Sequence, residues 1–242
     1  MSNNNKYQAA VWVKESLFGI WFLGTHTWVR SVLKIAINDL VGLIPHKKER
    51  YPVILDVGFG HGHSLWILDE YFKPDTIIGL EVDPKAKDRA KDNISKCTCI
   101  VQLKESDAAS IDLPDSSVDM IFCHQSFHHL IHQELAIDEF FRVLKPGGVL
   151  LFSESCRRYI HSFIIKLLFR HPMDAQKTDI EYINLIVGAG FTVKEESISR
   201  PFLWWSLPDL GLLSHYGLKE KEIEGIREET MVNLVAYKPV EV

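Results

Sequence analysis

Apolar and polar positions along this chain switch between two periods. From residue 53 onward, short apolar runs recur at 53–57, 76–82, 99–104, 118–124 and 149–153, and each reads as a strand. The runs are nearly continuous in apolar residues, as strands covered on both faces are. Stretches with helical spacing separate them at 63–72, 84–95 and 133–144. Pro84 opens the second of these, and Lys145-Pro146-Gly147-Gly148 closes the third. Strands alternating with helices predict an α/β chain built on a parallel sheet.

The flanks follow a different pattern. Residues 7–44 predict two helices broken near Gly24, with Trp12, Trp21, Trp28, Leu33 and Ile37 among the apolar positions. Lys14, Glu15, Arg30 and Lys34 interrupt that stretch, so it does not read as a spanning helix. It reads as a lid over the active site, a dimer contact or a membrane-surface helix; its polar side is not strongly cationic, which weakens the membrane reading. Beyond 153 come an amphipathic stretch at 159–170, a helix at 178–189, a strand at 191–199, an aromatic loop at 200–208 and a closing strand at 228–238.

Composition narrows the function classes. The 242 residues are 46% apolar, enough for one α/β domain with a large core. A net charge of −5 without a long basic run argues against nucleic acid as the main partner. Cys97 and Cys99 form C-x-C, and Cys123 and Cys156 stand alone, so no zinc-ribbon or thioredoxin spacing exists. Reduced buried thiols, a cytoplasmic setting and a polar N-terminus that is not a signal peptide are expected.

Chemistry concentrates at strand ends. Asp56-x-Gly58-x-Gly60-x-Gly62 closes the first strand, with Phe59 and His61 between the glycines. Glycine belongs where backbone must approach a ligand or take positive φ. A dinucleotide turn needs Gly-x-Gly-x-x-Gly; here the third glycine falls one residue early, which disfavours a dehydrogenase. Glu81, before Val82, ends the second strand, where a carboxylate accepts from ribose hydroxyls. Asp83 reads as a helix N-cap. Asp107, between Ser106 and Ala108, follows the third strand and is placed to accept from an adenine amine.

These motifs, together with Leu113-Pro114-Asp115-Ser116-Ser117-Val118-Asp119 and Arg142-Val143-Leu144-Lys145-Pro146-Gly147-Gly148, occur in the order seen in class I S-adenosylmethionine (SAM) dependent methyltransferases. The chain resembles that family, methyltransferase type 11/25-like, over about 53–154. The resemblance implies a Rossmann-like, doubly wound, seven-stranded sheet, mostly parallel, whose antiparallel last strand returns beside the fifth. It implies SAM as cofactor and S-adenosylhomocysteine as product. It sets Gly58 and Gly60 against SAM, Glu81 on the ribose, Asp107 near the adenine and His124 near the methionine portion. Asp56, Phe59, Gly62, Val82, Ser106 and Ala108 complete the expected cofactor set. The expected division is an N-terminal helical lid at 1–46 and a methyltransferase domain at 47–242, with acceptor-site insertions at about 155–178 and 200–227.

The segment His124-Gln125-Ser126-Phe127-His128-His129-Leu130-Ile131-His132 follows strand four, where the family's loop faces the methionine end and the acceptor. His128 and His129 are the catalytic candidates, as general base or acceptor contact. His128 and His132 have i,i+4 spacing, but no nearby carboxylate pattern supports a metal, and none is expected. Packing and helix capping are the plain alternative for this segment. Acceptor candidates are Trp21, Arg157, Tyr159, Trp204 and Trp205, an aromatic surface with one cationic side. That combination suits a small, aromatic or amphiphilic molecule methylated at O, N or C, by a monomer or homodimer. A membrane-docked lipid or quinone methyltransferase and a non-catalytic SAM-binding regulator are the competing readings.

Overall fold

The computed structural model describes residues 12–45, 47–207, 209, 212–218 and 227–240, apart from the side chains of Trp204 and Ser214. Trp12 is extended and pairs with Leu130 in an isolated antiparallel bridge. Helix α1 (Leu17–Leu23) starts where the Ser16 hydroxyl accepts from the Gly19 N–H, and it ends at Gly24. The expected helix start at residue 7 lies outside the described residues; Trp12 itself is committed to its bridge. Thr25 caps α2 (His26–Trp28) by accepting from the Trp28 N–H. Five residues at π-helical pitch, Val29–Leu33, lead into α3 (Lys34–Gly42).

Then come β1 (Val53–Val57), α4 (His63–Phe72), β2 (Thr76–Glu81), α5 (Ala86–Ile94), β3 (Ile100–Glu105), β4 (Val118–His124), α6 (Gln133–Val143) and β5 (Leu144–Ser155). The last part holds α7 (Arg157–Ile160), α8 (Phe163–Leu168), α9 (Asp179–Gly188), β6 (Thr192–Ser199), α10 (Leu212–His215) and β7 (Met231–Tyr237). The sheet order is β3-β2-β1-β4-β5-β7-β6. Neighbours from β3 to β5 are parallel. β7 runs antiparallel to both β5 and β6, as the resemblance implies. The chain winds outward from β1 to β3 and restarts at β4, so the crevice at the carboxyl ends of β1 and β4 is the switch point where such sheets bind ligands.

β1 shows why its apolar run is continuous. Ile54 and Leu55 are both fully buried, on opposite faces. Ile54 packs with Leu33, Ile37, Leu40, Leu65 and Phe72, so α3 is part of the core. Leu55 packs with Ile121, Phe140, Phe152 and Tyr182 on the other face.

Several boundaries differ from expectation. β5 begins at Leu144 because that residue pairs with Val118 of β4, and on the other side the Gly147 N–H donates to the Lys238 carbonyl and the Lys238 N–H to the Gly148 carbonyl. The expected 159–170 helix divides into α7 and α8, since Ser162 between them is extended. None of the described helices is long and apolar enough to cross a membrane. All four cysteines are free thiols.

Candidate active site

The three glycines after β1 all take positive φ, +75° at Gly58, +51° at Gly60 and +74° at Gly62. Their surroundings differ. A Cβ on Gly58 would sit 2.3 Å from Ser126 Cβ, and one on Gly62 would sit 2.8 Å from Ala90 Cβ. A Cβ on Gly60 would meet only the Gly58 carbonyl, at 3.9 Å. Gly58 and Gly62 are therefore glycine for close packing of the protein on itself, and Gly60 keeps open space before a cavity.

That cavity, about 150 Å³, is lined by Gly58, Gly60, Glu81, Val82, Ser106, Asp107 and Ala108 on the sheet side, and by Trp12, Ile20 and Leu23 from the N-terminal segment. Glu81 Oε2 accepts from the Gly60 N–H at 3.1 Å, and Oε1 from the Val82 and Asp83 N–H groups at 2.9 and 3.2 Å. Burial pushes this carboxyl up, and the same three backbone donors oppose the shift. A carboxylate offers about four acceptor positions, so capacity remains for a ligand. Asp107 Oδ1 accepts from the Ala109 N–H at 3.0 Å. Asp83 Oδ1 accepts from the Lys85 N–H at 3.1 Å, opening the turn into α5.

A smaller recess of about 70 Å³ shares Gly58, Gly60 and His61 and adds Asp56, Phe59 and His124. Asp56 is buried and accepts from the Ser64 hydroxyl. Burial drives its carboxyl up to about 7; the Ser64 bond opposes this and the nearby Glu81 charge adds to it. His124 stacks on Phe122 at 5.9 Å between ring centroids and packs against Trp28. Burial, helped by His128, pushes its imidazole down to about 3, so it is neutral. Gly62 lines neither space.

A third cavity, about 270 Å³, is mostly apolar. Its walls are Phe18, Phe22, Trp28, Val32, Tyr159, Ile160, Ile165, Leu168, Phe169 and Trp205, and its polar end is Gln125, His128, His129, His171 and Glu15. Gln125 borders all three spaces, and His129 borders the first and third. Gln125 takes φ +51° without being glycine, its Oε1 accepts from the Ser155 hydroxyl at 2.6 Å, and its buried Nε2 has no partner among the described residues. Non-glycine residues in that conformation concentrate at functional sites. Sequence reasoning passed over Gln125; its signal, a polar residue directly after an apolar strand at the switch point, was present.

The histidines are organised by Glu154, which is fully buried on β5. Its Oε1 accepts from the Ser126 and Phe127 N–H groups at 2.9 and 2.7 Å, and Oε2 lies 2.5 Å from His128 Nδ1. His129 is pushed well below the ordinary imidazole range by burial, then by His128 and His171. Burial, then His128, pushes His171 down to about 2. His132, by contrast, is exposed at the N-cap of α6, because residues 127–129 form a 3₁₀ turn and the helix starts only at Gln133. The i,i+4 pairing of His128 with His132 therefore does not form.

The acceptor candidates divide. Tyr159 and Trp205 line the apolar cavity, and Trp205 Nε1 donates to the Ser31 carbonyl at 3.2 Å. Trp21 is 63% exposed and packs on Phe18, outside the cavity. Arg157 is also outside it: its Nε donates to the Gln176 carbonyl and its guanidinium pairs with Glu181 on α9. The Trp204 side chain lies outside the described residues.

A seven-stranded sheet of this order, with a glycine turn after β1 and acids after β2 and β3, defines the Rossmann-like methyltransferase class. Comparison with known proteins agrees. The profile of the methyltransferase-domain family matches residues 55–152. A SAM-dependent methyltransferase from Aquifex aeolicus superposes with a TM-score of 0.60 at 19% identity, covering 91% of this chain and 97% of that one. Among curated relatives, phosphoethanolamine N-methyltransferase 3 of Arabidopsis thaliana is 27% identical over 49% of this chain and 23% of its own length. A fatty-acid O-methyltransferase of Mycolicibacterium smegmatis is 30% identical over 44% of this chain and 38% of its own. The chain thus matches well under half of either relative. Residues 55–152 match the methyltransferase-domain family on the fold of SAM-dependent methyltransferases, enzymes whose cofactor is SAM and whose product is S-adenosylhomocysteine.

Proposed function

We propose that this protein transfers the methyl group of SAM to an O, N or C atom of a small apolar or amphiphilic molecule. The observation that carries the reading is the meeting of two unlike cavities at Gln125 and His129. One is lined by the glycine turn, Glu81 and Asp107; the other is walled by aromatic and aliphatic side chains.

The residues present fit the cofactor. Gly60 leaves backbone room, Glu81 keeps acceptor capacity for ribose hydroxyls, and Asp107 stands where an adenine amine would be read. When bound, SAM supplies a sulfonium-activated methyl group. The chain's own work is positioning and exclusion of water. Phe18, Phe22 and Phe169 hold the acceptor's apolar body, and α1 covers the cofactor side through Ile20 and Leu23. His129, neutral and facing both cavities, is the group placed to accept a proton from an acceptor hydroxyl or ammonium. His128, fixed by Glu154, positions it; the rings are 4.4 Å apart. In this reading residues 12–45 act as the lid, and α7, α8 and the loop carrying Trp205 form the acceptor side. A fatty acid is the substrate named for one relative, and it matches an apolar cavity with a polar end.

Calorimetric titration with S-adenosylhomocysteine, followed by acceptor screening with methyl-labelled SAM, tests the proposal. Micromolar binding and label transfer to an amphiphile support it, and a folded protein that binds no S-adenosylhomocysteine overturns it. A membrane-docked variant of this function has one observation in its favour, the exposure of Leu17, Trp21, Phe163 and Leu167 on α1 and α8. Co-sedimentation with anionic vesicles decides that.

A further inference from the structure

We propose that His128, His129 and His171 form a binding site for a divalent transition-metal ion, zinc being the best match, at the polar end of the apolar cavity. Their ligand nitrogens all lie within 4.8 Å of one another. The rings are 4.4, 5.0 and 4.7 Å apart between centroids, each pair in contact. Two separate segments deliver them, the 3₁₀ turn after β4 and the loop after α8, so the cluster is a product of the fold and not of local sequence.

The surroundings are those of a metal site. The Glu154 carboxylate holds His128 Nδ1 at 2.5 Å, which sets the ring's tautomer and leaves Nε2 as its free ligand atom. A carboxylate behind a ligating imidazole is the common outer support of zinc histidines. Glu15 Oε2 lies 4.0 Å from His129 Nε2, so two carboxylates flank the trio and offset a dication. Three imidazoles alone would only crowd lone pairs and N–H groups together; an ion between them gives that packing a purpose.

The fit requires a modest closure. Tetrahedral zinc with Zn–N of about 2.0–2.1 Å puts ligand nitrogens about 3.4 Å apart. The trio therefore closes by up to about 1.4 Å on the ion. Three neutral nitrogen ligands leave a fourth position, and all three histidines line the cavity, so that position opens toward the acceptor. An acceptor hydroxyl or carboxylate oxygen would complete the sphere. With the ion bound, His129 is a ligand and no longer a base, and the metal lowers the acceptor hydroxyl's pKa while the released proton goes to solvent. The inference rests on the proposed acceptor cavity only for what the ion touches.

The test uses the untagged full chain after chelator dialysis. Zn²⁺ is titrated calorimetrically, and Co²⁺ is followed by its visible ligand-field absorption. One equivalent binding at micromolar or tighter dissociation constant, with a tetrahedral Co²⁺ spectrum, is expected. His171→Gln, checked for an unchanged circular dichroism spectrum, loses at least tenfold in affinity, and Glu154→Gln loses about 10–100-fold. Absent binding, or binding that His171→Gln and His129→Gln both leave intact, overturns the site. S-adenosylhomocysteine titrated into the same samples separates the claims. Its binding without metal binding removes only this inference, and metal binding without it leaves the site standing while the proposed function falls.

Discussion

His61 Nε2 lies 2.8 Å from the carbonyl oxygen of Ile20, joining the glycine turn to α1 across 41 residues of sequence. His61 sits between the second and third glycines, a departure from the expected pattern that sequence alone left facing pocket or solvent. It does neither exclusively: it lines the cavity beside Gly60 and Glu81 and pins the helix above it. The contact is a neutral hydrogen bond worth about 0.5–1.5 kcal/mol. His61→Ala should therefore speed amide exchange in 17–23 about two- to tenfold and speed S-adenosylhomocysteine release. Unchanged exchange by mass spectrometry would mean that the aromatic packing of Phe18 and Phe22 on Phe169 alone holds α1.

Gly60 and Gly58 should separate binding from folding. At Gly60 a methyl group meets open cavity, so Gly60→Ala should carry only the strain of its positive φ, about 1 kcal/mol, and stay folded while weakening S-adenosylhomocysteine at least tenfold. At Gly58 the methyl group collides with Ser126, so Gly58→Ala should lower Tm by several degrees or prevent folding. Paired thermal melts and titrations check both. Equal loss of stability in the two variants would remove Gly60 from the ligand face.

Glu81→Gln keeps size and one acceptor but removes the charge and faces the Val82, Asp83 and Gly60 N–H groups with an amide. S-adenosylhomocysteine affinity should fall by about 1.5–3 kcal/mol, the value of a hydrogen bond to a charged group. An unchanged dissociation constant would refute the ribose assignment.

The buried histidines give stability a pH slope. His124, His129 and His171 have imidazoles pushed far below their unfolded value near 6.5, so the unfolded chain binds more protons below that pH. Stability is therefore fully present above about pH 6.5 and falls as pH drops. Each such group costs on the order of 1 kcal/mol one pH unit below the ordinary imidazole value. Asp56 works the other way: its raised carboxyl makes stability fall as pH rises from about 4 to about 7. Glu81, also raised by burial, works with Asp56, but the lowered imidazoles, His61 and His63 among them, outnumber the two acids, so chelator-treated protein should melt lower at pH 5.5 than at 7.5, and His171→Phe should flatten that slope. A flat wild-type profile would contradict the neutral assignments.

The parallel sheet, the glycine turn and the acids at Glu81 and Asp107 were legible because each is local. An apolar run, a turn and a charged residue sit together in sequence and carry their own period or spacing. The apolar cavity was legible only at Tyr159 and Trp205, for the opposite reason. Arg157 read as a cation for a ligand, but Glu181, 24 residues on, takes its guanidinium. His171 gave no signal at all, since only the return of the chain after α8 brings it to His128 and His129. Glu154, the carboxylate that the histidine segment lacked in sequence, arrives from β5, 26 residues beyond His128. Contacts of this kind depend on which strands pair, and spacing does not encode that.

Gln125 offers the sharpest trade between stability and activity. Its φ of +51° costs a non-glycine residue about 1–2 kcal/mol, and its orphaned Nε2 adds the cost of an unmade hydrogen bond. Glycine relieves both, while adding about 0.5–1 kcal/mol of chain entropy to the unfolded state. Gln125→Gly should therefore melt at or slightly above the wild-type temperature. Turnover should fall at least tenfold, because the one amide that borders all three cavities is gone. Calorimetric Tm and labelled-methyl transfer, measured on the same preparation, check the two halves independently. Full activity in a protein of unchanged Tm would show that the strained side chain serves no step at the junction, and that Ser155, its hydrogen-bond partner, is the whole reason it is held there.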